Sequence, residues 1–407
     1  MRRHLLLWLL PLWLFGAAKY PSPIPPPKLY FINLDPSPCD HYCLREHLRR
    51  GEIFSFLAKA ADNPEAAAPY QEELARFAAL FRLEVPRLRS APGPIVTGEV
   101  VRIAVAGDRR RFAKAMERCA RAMGVSLLRA RRPFEIATVD IPASALPERI
   151  YELEGYDLVV AIVPYAEAET LHQIAAAPNL YIPTVHRDLV DAPAAFYYGG
   201  IDYAAQIDAL LRLARDELAI FYLGGSLLSD RLTQHALQLR SDARLFEIKK
   251  GSRNLGYLIK GTPALRHSDI LLNTPLVTSA LILSQLTLYG YKPPKKLSTQ
   301  INFNPRLFDL TQEHDREGLY VAVSTAAPPW ELETAAAAAR IDLFYDWLSY
   351  AAVAGAEALL LGEEKKTKEE FEEGQLKYDL QILRYEQGGF IPALLESSQE
   401  FLRDDSL

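Results

Sequence analysis

The chain is poor in cysteine and in methionine, with three of each in 407 residues. A disulfide-dense secreted scaffold, which needs several bridges in a short chain, is thereby excluded. No charge of one sign dominates: 46 Lys and Arg against 51 Asp and Glu leave a net charge of −5, which argues against a dedicated nucleic-acid binder. Nor is there the low hydrophobicity of a disordered chain, because 49% of residues are hydrophobic and 24% charged. Beyond the N-terminal segment, no apolar run approaches the about 20 residues needed to cross a membrane. No G-x-G-x-x-G follows a strand-like run and no P-loop lysine occurs, so nucleotide chemistry has no footing and no cofactor is called for.

What is present begins with an export signal. Arg2, Arg3 and His4 precede the apolar run Leu5 to Phe15, and Gly16, Ala17 and Ala18 supply a small-residue exit before Lys19. Residues 1–18 read as a signal peptide, with an uncleaved membrane anchor as the alternative. The prolines at 21, 23, 25, 26 and 27 make residues 19–36 a semi-rigid polyproline linker.

Cys39 and Cys43 lie four residues apart behind Ser37-Pro38, where Ser37 can cap a helix, Pro38 suits its first turn and Asp40 completes an approximate capping box. In an oxidising compartment the first reading is a local disulfide. His47 extends the same face, so the three residues could instead be soft metal ligands; no fourth ligand is announced, and the disulfide is preferred over a metal. Cys119, among Phe112, Met116 and Met123, reads as a buried free thiol.

Residues 37–90 read as a helical module with helices ending at Arg50 before Gly51, at Ile53 to Ala60 and at Pro69 to Leu83, packed through Phe54, Phe56, Phe77 and Phe81. The Pro- and Gly-rich stretch 86–98 marks a boundary. From residue 99, strands alternate with helices, the signature of a parallel sheet covered on both faces. Strands at Val100 to Ala106, Phe134 to Ile141, Leu158 to Val163 and Leu180 to Val185, with helices near Ala145 to Leu153 and Ala166 to Ala176, make a first lobe over 99–200. After Phe196-Tyr197-Tyr198-Gly199-Gly200 the pattern restarts. Strands at Leu218 to Leu223, Leu245 to Ile248, Asp269 to Asn273, Leu297 to Phe303 and Gly318 to Val323 make a second lobe over 201–330, with helices at Tyr203 to Arg215, Leu227 to Leu239 and Leu276 to Tyr289. Residues 331–407 supply a long helix, Ala335 to Leu361, a charged segment, Glu363 to Glu373, read as a solvated helix end or linker, and a terminal hairpin around Gly388-Gly389. The expected fold class is α/β: two doubly wound Rossmann-like lobes behind a small helical module.

An exported chain with two successive α/β lobes resembles the type 1 periplasmic binding proteins, the fold of leucine/isoleucine/valine-binding proteins. The likeness is sharpest from Ser268-Asp269-Ile270-Leu271-Leu272-Asn273-Thr274-Pro275, through Tyr289-Gly290-Tyr291, to Glu317-Gly318-Leu319-Tyr320. The resemblance implies a periplasmic location and a ligand in the cleft between lobes, at the carboxyl ends of strands. It points to Pro164 and Tyr165 after the third strand, Thr184 and His186 after the fourth, and Gly224, Gly225 and Ser226 in the second lobe. Where amino-acid binders of this family carry a Gly-Pro pair and a serine for the ligand carboxylate, this chain has Val163-Pro164 and Glu167. A carboxylate beside Glu167 would be repelled or would need a cation. The layout also resembles the lipoproteins that activate penicillin-binding proteins, although no lipidated cysteine is present.

Arg110, Lys114, Arg118 and Arg121 line one side of a helix and, with Arg102, Arg109, Arg111, Arg129, Arg131 and Arg132, form a basic patch. It reads either as a docking face for an acidic envelope partner or as a solvated outer face. Catalytic signals are weak. Ser226 follows Gly224-Gly225, but Leu228 replaces the second glycine of a nucleophile elbow, and His314, Asp315 and Glu317 read better as a hydrated turn than as a metal site. Tyr197, Tyr198 and Tyr203, together with Phe344, Tyr345, Trp347 and Tyr350, divide between core packing and a cleft lining. The expectation is therefore a non-enzymatic binding protein with no metal and no nucleic acid, touching the membrane only through export or an uncleaved anchor. Its partner is a cell-envelope protein, in a scaffold or regulatory role, or alternatively a small polar solute for ABC-type uptake or sensing.

Overall fold

The computed structural model describes residues 37–80, 100–174, 177, 179–190, 196–325 and 328–393. The signal peptide, the proline linker, Phe81 and the boundary at 86–98 lie outside the described residues. Among those described, no helix is long and apolar enough to cross a membrane.

The N-terminal module is built from α1 (His41–Arg50), α2 (Ile53–Asp62) and α3 (Gln71–Leu80). Asp40, and not Ser37, caps α1: its carboxylate accepts the Cys43 N–H at 2.9 Å, where the helix dipole favours an anion. Gly51 ends the helix with φ +71°, and its N–H bonds to the carbonyls of the last turn. Leu44, Phe56, Leu57, Leu74 and Phe77 are buried in one core that continues into the first lobe.

Each lobe holds one seven-stranded sheet. In the first lobe β1 (Val101–Gly107) lies between β2 (Phe134–Asp140) and β3 (Leu158–Ile162), followed by β4 (Leu180–Ile182) and β5 (Tyr197–Tyr198), all parallel. In the second, β6 (Leu218–Leu223) lies between β7 (Arg244–Ile248) and β8 (Asp269–Asn273), followed by β9 (Lys296–Ser298) and β10 (Leu319–Val323). The strand order 2-1-3-4-5 thus occurs twice. The innermost strands β3 and β8 are buried at every residue, as strands covered on both faces require; β3 is apolar throughout, and β8 is apolar between Asp269 and Asn273. Buried Asp269 pins the start of β8, accepting the N–H groups of Arg215 at 2.8 Å and Lys295 at 3.1 Å.

Helices cover both faces. In the first lobe α4 (Arg109–Arg129) follows β1; in the second, α5 (Tyr203–Leu213), α6 (Leu227–Leu239) and α7 (Leu276–Leu288) match the expected segments closely. The expected helices near 145–153 and 166–176 are mostly 3₁₀ turns. The single long helix expected from Ala335 to Leu361 is two, α8 (Trp330–Ala338) and α9 (Trp347–Leu360). Between them Arg340 adopts φ +62° and Asp346 caps α9, so that Ile341 and Leu343 can turn into the core.

After β10 the chain returns to the first lobe. There α9 packs along α4, and β11 (Phe371–Glu372) and β12 (Gln375–Leu376) extend the first sheet beside β5. The charged stretch Glu363 to Glu373 therefore ends in a strand and is not simply a linker. The chain then crosses again to form the hairpin β13 (Gln381–Glu386) and β14 (Gly389–Pro392) on β10. Three passages thus join the lobes, after β5, after β10 and after β12. Buried Gln375 ties two of them to the first lobe: its amide donates to the Gly200 carbonyl at 3.1 Å and accepts the Arg187 N–H at 2.8 Å. Gln206, Gln300, Ser324 and Thr325 form a buried hydrogen-bonded group on the side of the second lobe.

Candidate functional site

The carboxyl ends of β3 and β4 in the first lobe and helix α6 in the second bound a cavity of about 260 Å³. The first lobe contributes Tyr165, His186, Asp188 and Leu189. The passage after β5 contributes Ile201, Asp202, Tyr203 and Ala204, and α6 contributes Leu228, Arg231, Leu232, Gln234, His235 and Gln238.

Several polar groups in this wall are held by local structure. Tyr165 opens the 3₁₀ turn that Pro164 starts at the end of β3, and its hydroxyl accepts from the Arg231 guanidinium at 3.0 Å. That bond, with Arg231 stacked 5.4 Å from the Tyr165 ring centre, joins the two lobes across the cleft. Burial raises the Tyr165 phenol above its ordinary range while the Arg231 charge opposes the shift, so the hydroxyl stays protonated. Burial likewise raises the Tyr203 phenol. His186 is buried, and its Nδ1 accepts the Asp188 N–H at 3.3 Å. Burial lowers its pKa, partly offset by Asp202 and Asp188, so the neutral ring is favoured.

The charges of the wall are unequally satisfied. Asp202 caps α5 by accepting the Ala205 N–H at 2.9 Å, and Asp208, just behind the wall, pairs with His235 at 2.6 Å. Arg231 contacts only the neutral phenol of Tyr165 and pairs with no carboxylate of the described residues. The cleft thus presents the Arg231 guanidinium with spare donors beside apolar Leu189, Ile201, Leu228 and Leu232, with the carboxylates Asp188 and Asp202 in the same lining.

Of the five positions expected to meet a ligand, Tyr165 and His186 line the cavity. Thr184 does not: its hydroxyl accepts the Val163 N–H at 3.1 Å, tying together the ends of β3 and β4. Gly225, with φ +74°, and Ser226, at the start of α6, lie in the turn after β6 outside the lining, as does Gly224. Sequence reasoning missed exposed Arg231 and half-buried His235, one helical turn apart on the side of α6 that faces the cavity; their i, i+4 spacing was the available signal. The cation that Glu167 lacked in sequence is Arg111, at 2.5 Å.

The basic stripe of α4 is corrected. Arg121 is 4% exposed and reaches the Ala339 carbonyl at 3.4 Å, while Arg118 pairs with Asp346 at 2.7 Å. Arg121 is covered by α8, while Arg118 stays partly exposed and is paired at the start of α9. Arg110 and Lys114 remain exposed, so the four do not form one docking face. Cys39 and Cys43 form a disulfide, and Cys119 is free and buried. Asp315 is buried in a capping box with Gln312, which accounts for the His314 cluster without a metal.

No protein-family model matches the chain, and no curated protein matches it in sequence. Solved structures do match. A branched-chain amino acid ABC transporter periplasmic ligand-binding protein of Burkholderia xenovorans aligns with a TM-score of 0.55 at 11% identity, covering 72% of this chain and 94% of that one. The fold is that of the type 1 periplasmic binding proteins. A branched-chain amino acid transporter substrate binding protein of Streptococcus pneumoniae, in complex with isoleucine, shares the type 1 fold at a TM-score of 0.53 and 12% identity, covering 72% and 100%. A solute binding protein of R. palustris, in complex with benzoate, aligns at 0.52 and 10% identity, covering 72% and 95%. The type 1 alignment leaves over a quarter of this chain unmatched. At such identities the likeness is one of fold.

Proposed function

We propose that this chain is a solute-binding protein that holds a small amphipathic solute with one anionic group between its lobes, for ABC-type uptake or sensing. The observation that carries the reading is Arg231: a guanidinium on one lobe that, among the described residues, meets a neutral phenol on the other and no carboxylate, at the edge of a cavity with an apolar part to its wall. A carboxylate could take two parallel hydrogen bonds from it, while Leu189, Ile201 and Leu232 cover the apolar part. The volume suits a solute smaller than a drug-sized ligand. Neighbours of the same fold hold isoleucine and benzoate, each a small carboxylate with an apolar body, which supports the same class here. The scaffold reading has less support, since Arg121 of its basic stripe is buried and Arg118 is paired with Asp346.

The test is a thermal-shift screen of aliphatic, aromatic and amino-substituted carboxylates beside their amides. Carboxylates that bind should raise the melting temperature and their amides should not; a hit equally strong for the amide would overturn the assignment to Arg231.

A further inference from the structure

In the N-terminal module, a nitrogen of His47 and the sulfurs of Cys39 and Cys43 all lie within 4.8 Å of one another. We propose that the Cys39–Cys43 disulfide masks a zinc site, which reduction unmasks with Cys39, Cys43 and His47 as ligands. Two sulfurs and an imidazole are a zinc donor set, and a fourth position left to water completes a tetrahedron.

A second observation concerns His47. Its Nδ1 is held by the Glu52 carboxylate at 2.5 Å, with the two side chains only 22% and 15% exposed. A carboxylate on one ring nitrogen orients the ring and leaves the other nitrogen for a metal, the arrangement found behind most zinc-bound imidazoles. The disulfide makes no use of it. Backbone geometry positions the set: Gly51 turns the chain so that Glu52 comes back onto the last turn of α1, with its N–H bonded to the His47 carbonyl at 2.8 Å. Cys43 lies in the first turn of α1, where the helix dipole favours its thiolate. Bound at about 2.3 Å from zinc, two thiolates stand about 3.8 Å apart, which is less than the 5.3 Å between the Cys39 and Cys43 Cα atoms.

The chemistry balances with a dithiol as reductant. The dithiol transfers two electrons and two protons to the S–S bond and closes its own disulfide, leaving Cys39 and Cys43 as thiols. Zn²⁺ then displaces the two thiol protons to solvent, forming two metal–sulfur bonds, and a ring nitrogen of His47 supplies the third.

The test titrates the full chain, oxidised and then reduced without oxygen, with Zn²⁺ against a chromophoric chelator. The reduced chain should bind one Zn²⁺ at least 100-fold more tightly than the oxidised chain. His47→Ala should weaken that binding by about 100-fold and Glu52→Gln by about 10-fold. Co²⁺ in the reduced chain should show a sulfur-to-metal charge-transfer band that Cys43→Ser diminishes. Equal binding by the two redox states, indifference to His47→Ala or absence of the band would overturn the proposal. If reduction unfolds the module, far-UV circular dichroism must show Zn²⁺ restoring it, and failure to restore it would overturn the proposal equally.

Discussion

Arg231, His186 and Gly200 illustrate how single residues divide between binding and folding. Arg231 is exposed on α6, so Arg231→Ala should change unfolding stability by no more than about 0.5 kcal/mol while weakening a carboxylate solute by roughly 10- to 100-fold. Calorimetry and denaturant unfolding of the one variant check both halves. Gly200 is the reverse case. A Cβ there would stand 2.1 Å from the Val185 backbone carbon, which cannot swing aside, so Gly200→Ala should cost several kcal/mol or about 3 at least. His186 couples stability to pH. Burial keeps its folded pKa below the ordinary 6.5, so as pH falls through about 6.5 the unfolded chain takes up the proton first, and stability drops until the folded pKa is passed. Between about pH 7.5 and 5.5 the parent chain should lose more melting temperature than His186→Gln; parallel curves would refute this.

At the scale of elements, the sequence was most legible where one period ran unbroken. The runs Leu218 to Leu223 and Asp269 to Asn273, and the helix Leu227 to Leu239, stand where hydrophobic patterning put them. It was least legible where tertiary packing overrode propensity. The alanine-rich run into Arg340 contains no glycine or proline to announce a break, yet Ile341 and Leu343 are buried only because Arg340 turns left-handed. Strands β5 and β12 have two residues each, too few for any period to show, and exist because β4 and β5 offer unpaired edges. The terminal hairpin was announced by its glycines. Gln387 and Gly388 have φ +46° and +88°, a type I′ turn in which asparagine is preferred at the first position. Gln387→Asn should therefore raise stability by about 0.5 kcal/mol, read as a shifted denaturant midpoint at unchanged slope.

For the whole molecule, the repeated strand–helix alternation implied two lobes, and the structure supplies two sheets of the same order joined by three passages. Which residues of the two lobes would meet was not legible. Tyr165 could be placed at the end of β3 from sequence, but its partner depended on how α6 faces it, 66 residues further along. Turn residues such as Gly225 and Ser226 looked like ligand contacts because they follow a strand, whereas the cavity lies against the side of α6. A solute bound as proposed would touch both lobes, so binding should stabilise the fold. A ligand at 100 times its dissociation constant should add about 2.7 kcal/mol to unfolding stability.

The most direct measurement is isothermal titration calorimetry of small carboxylates against the chain and its Arg231→Ala variant. The account predicts one-to-one binding of at least one carboxylate, weakened at least tenfold in the variant, whose melting temperature stays close to that of the parent. Binding that survives Arg231→Ala unchanged, or no binding across aliphatic, aromatic and amino-substituted carboxylates, would contradict it.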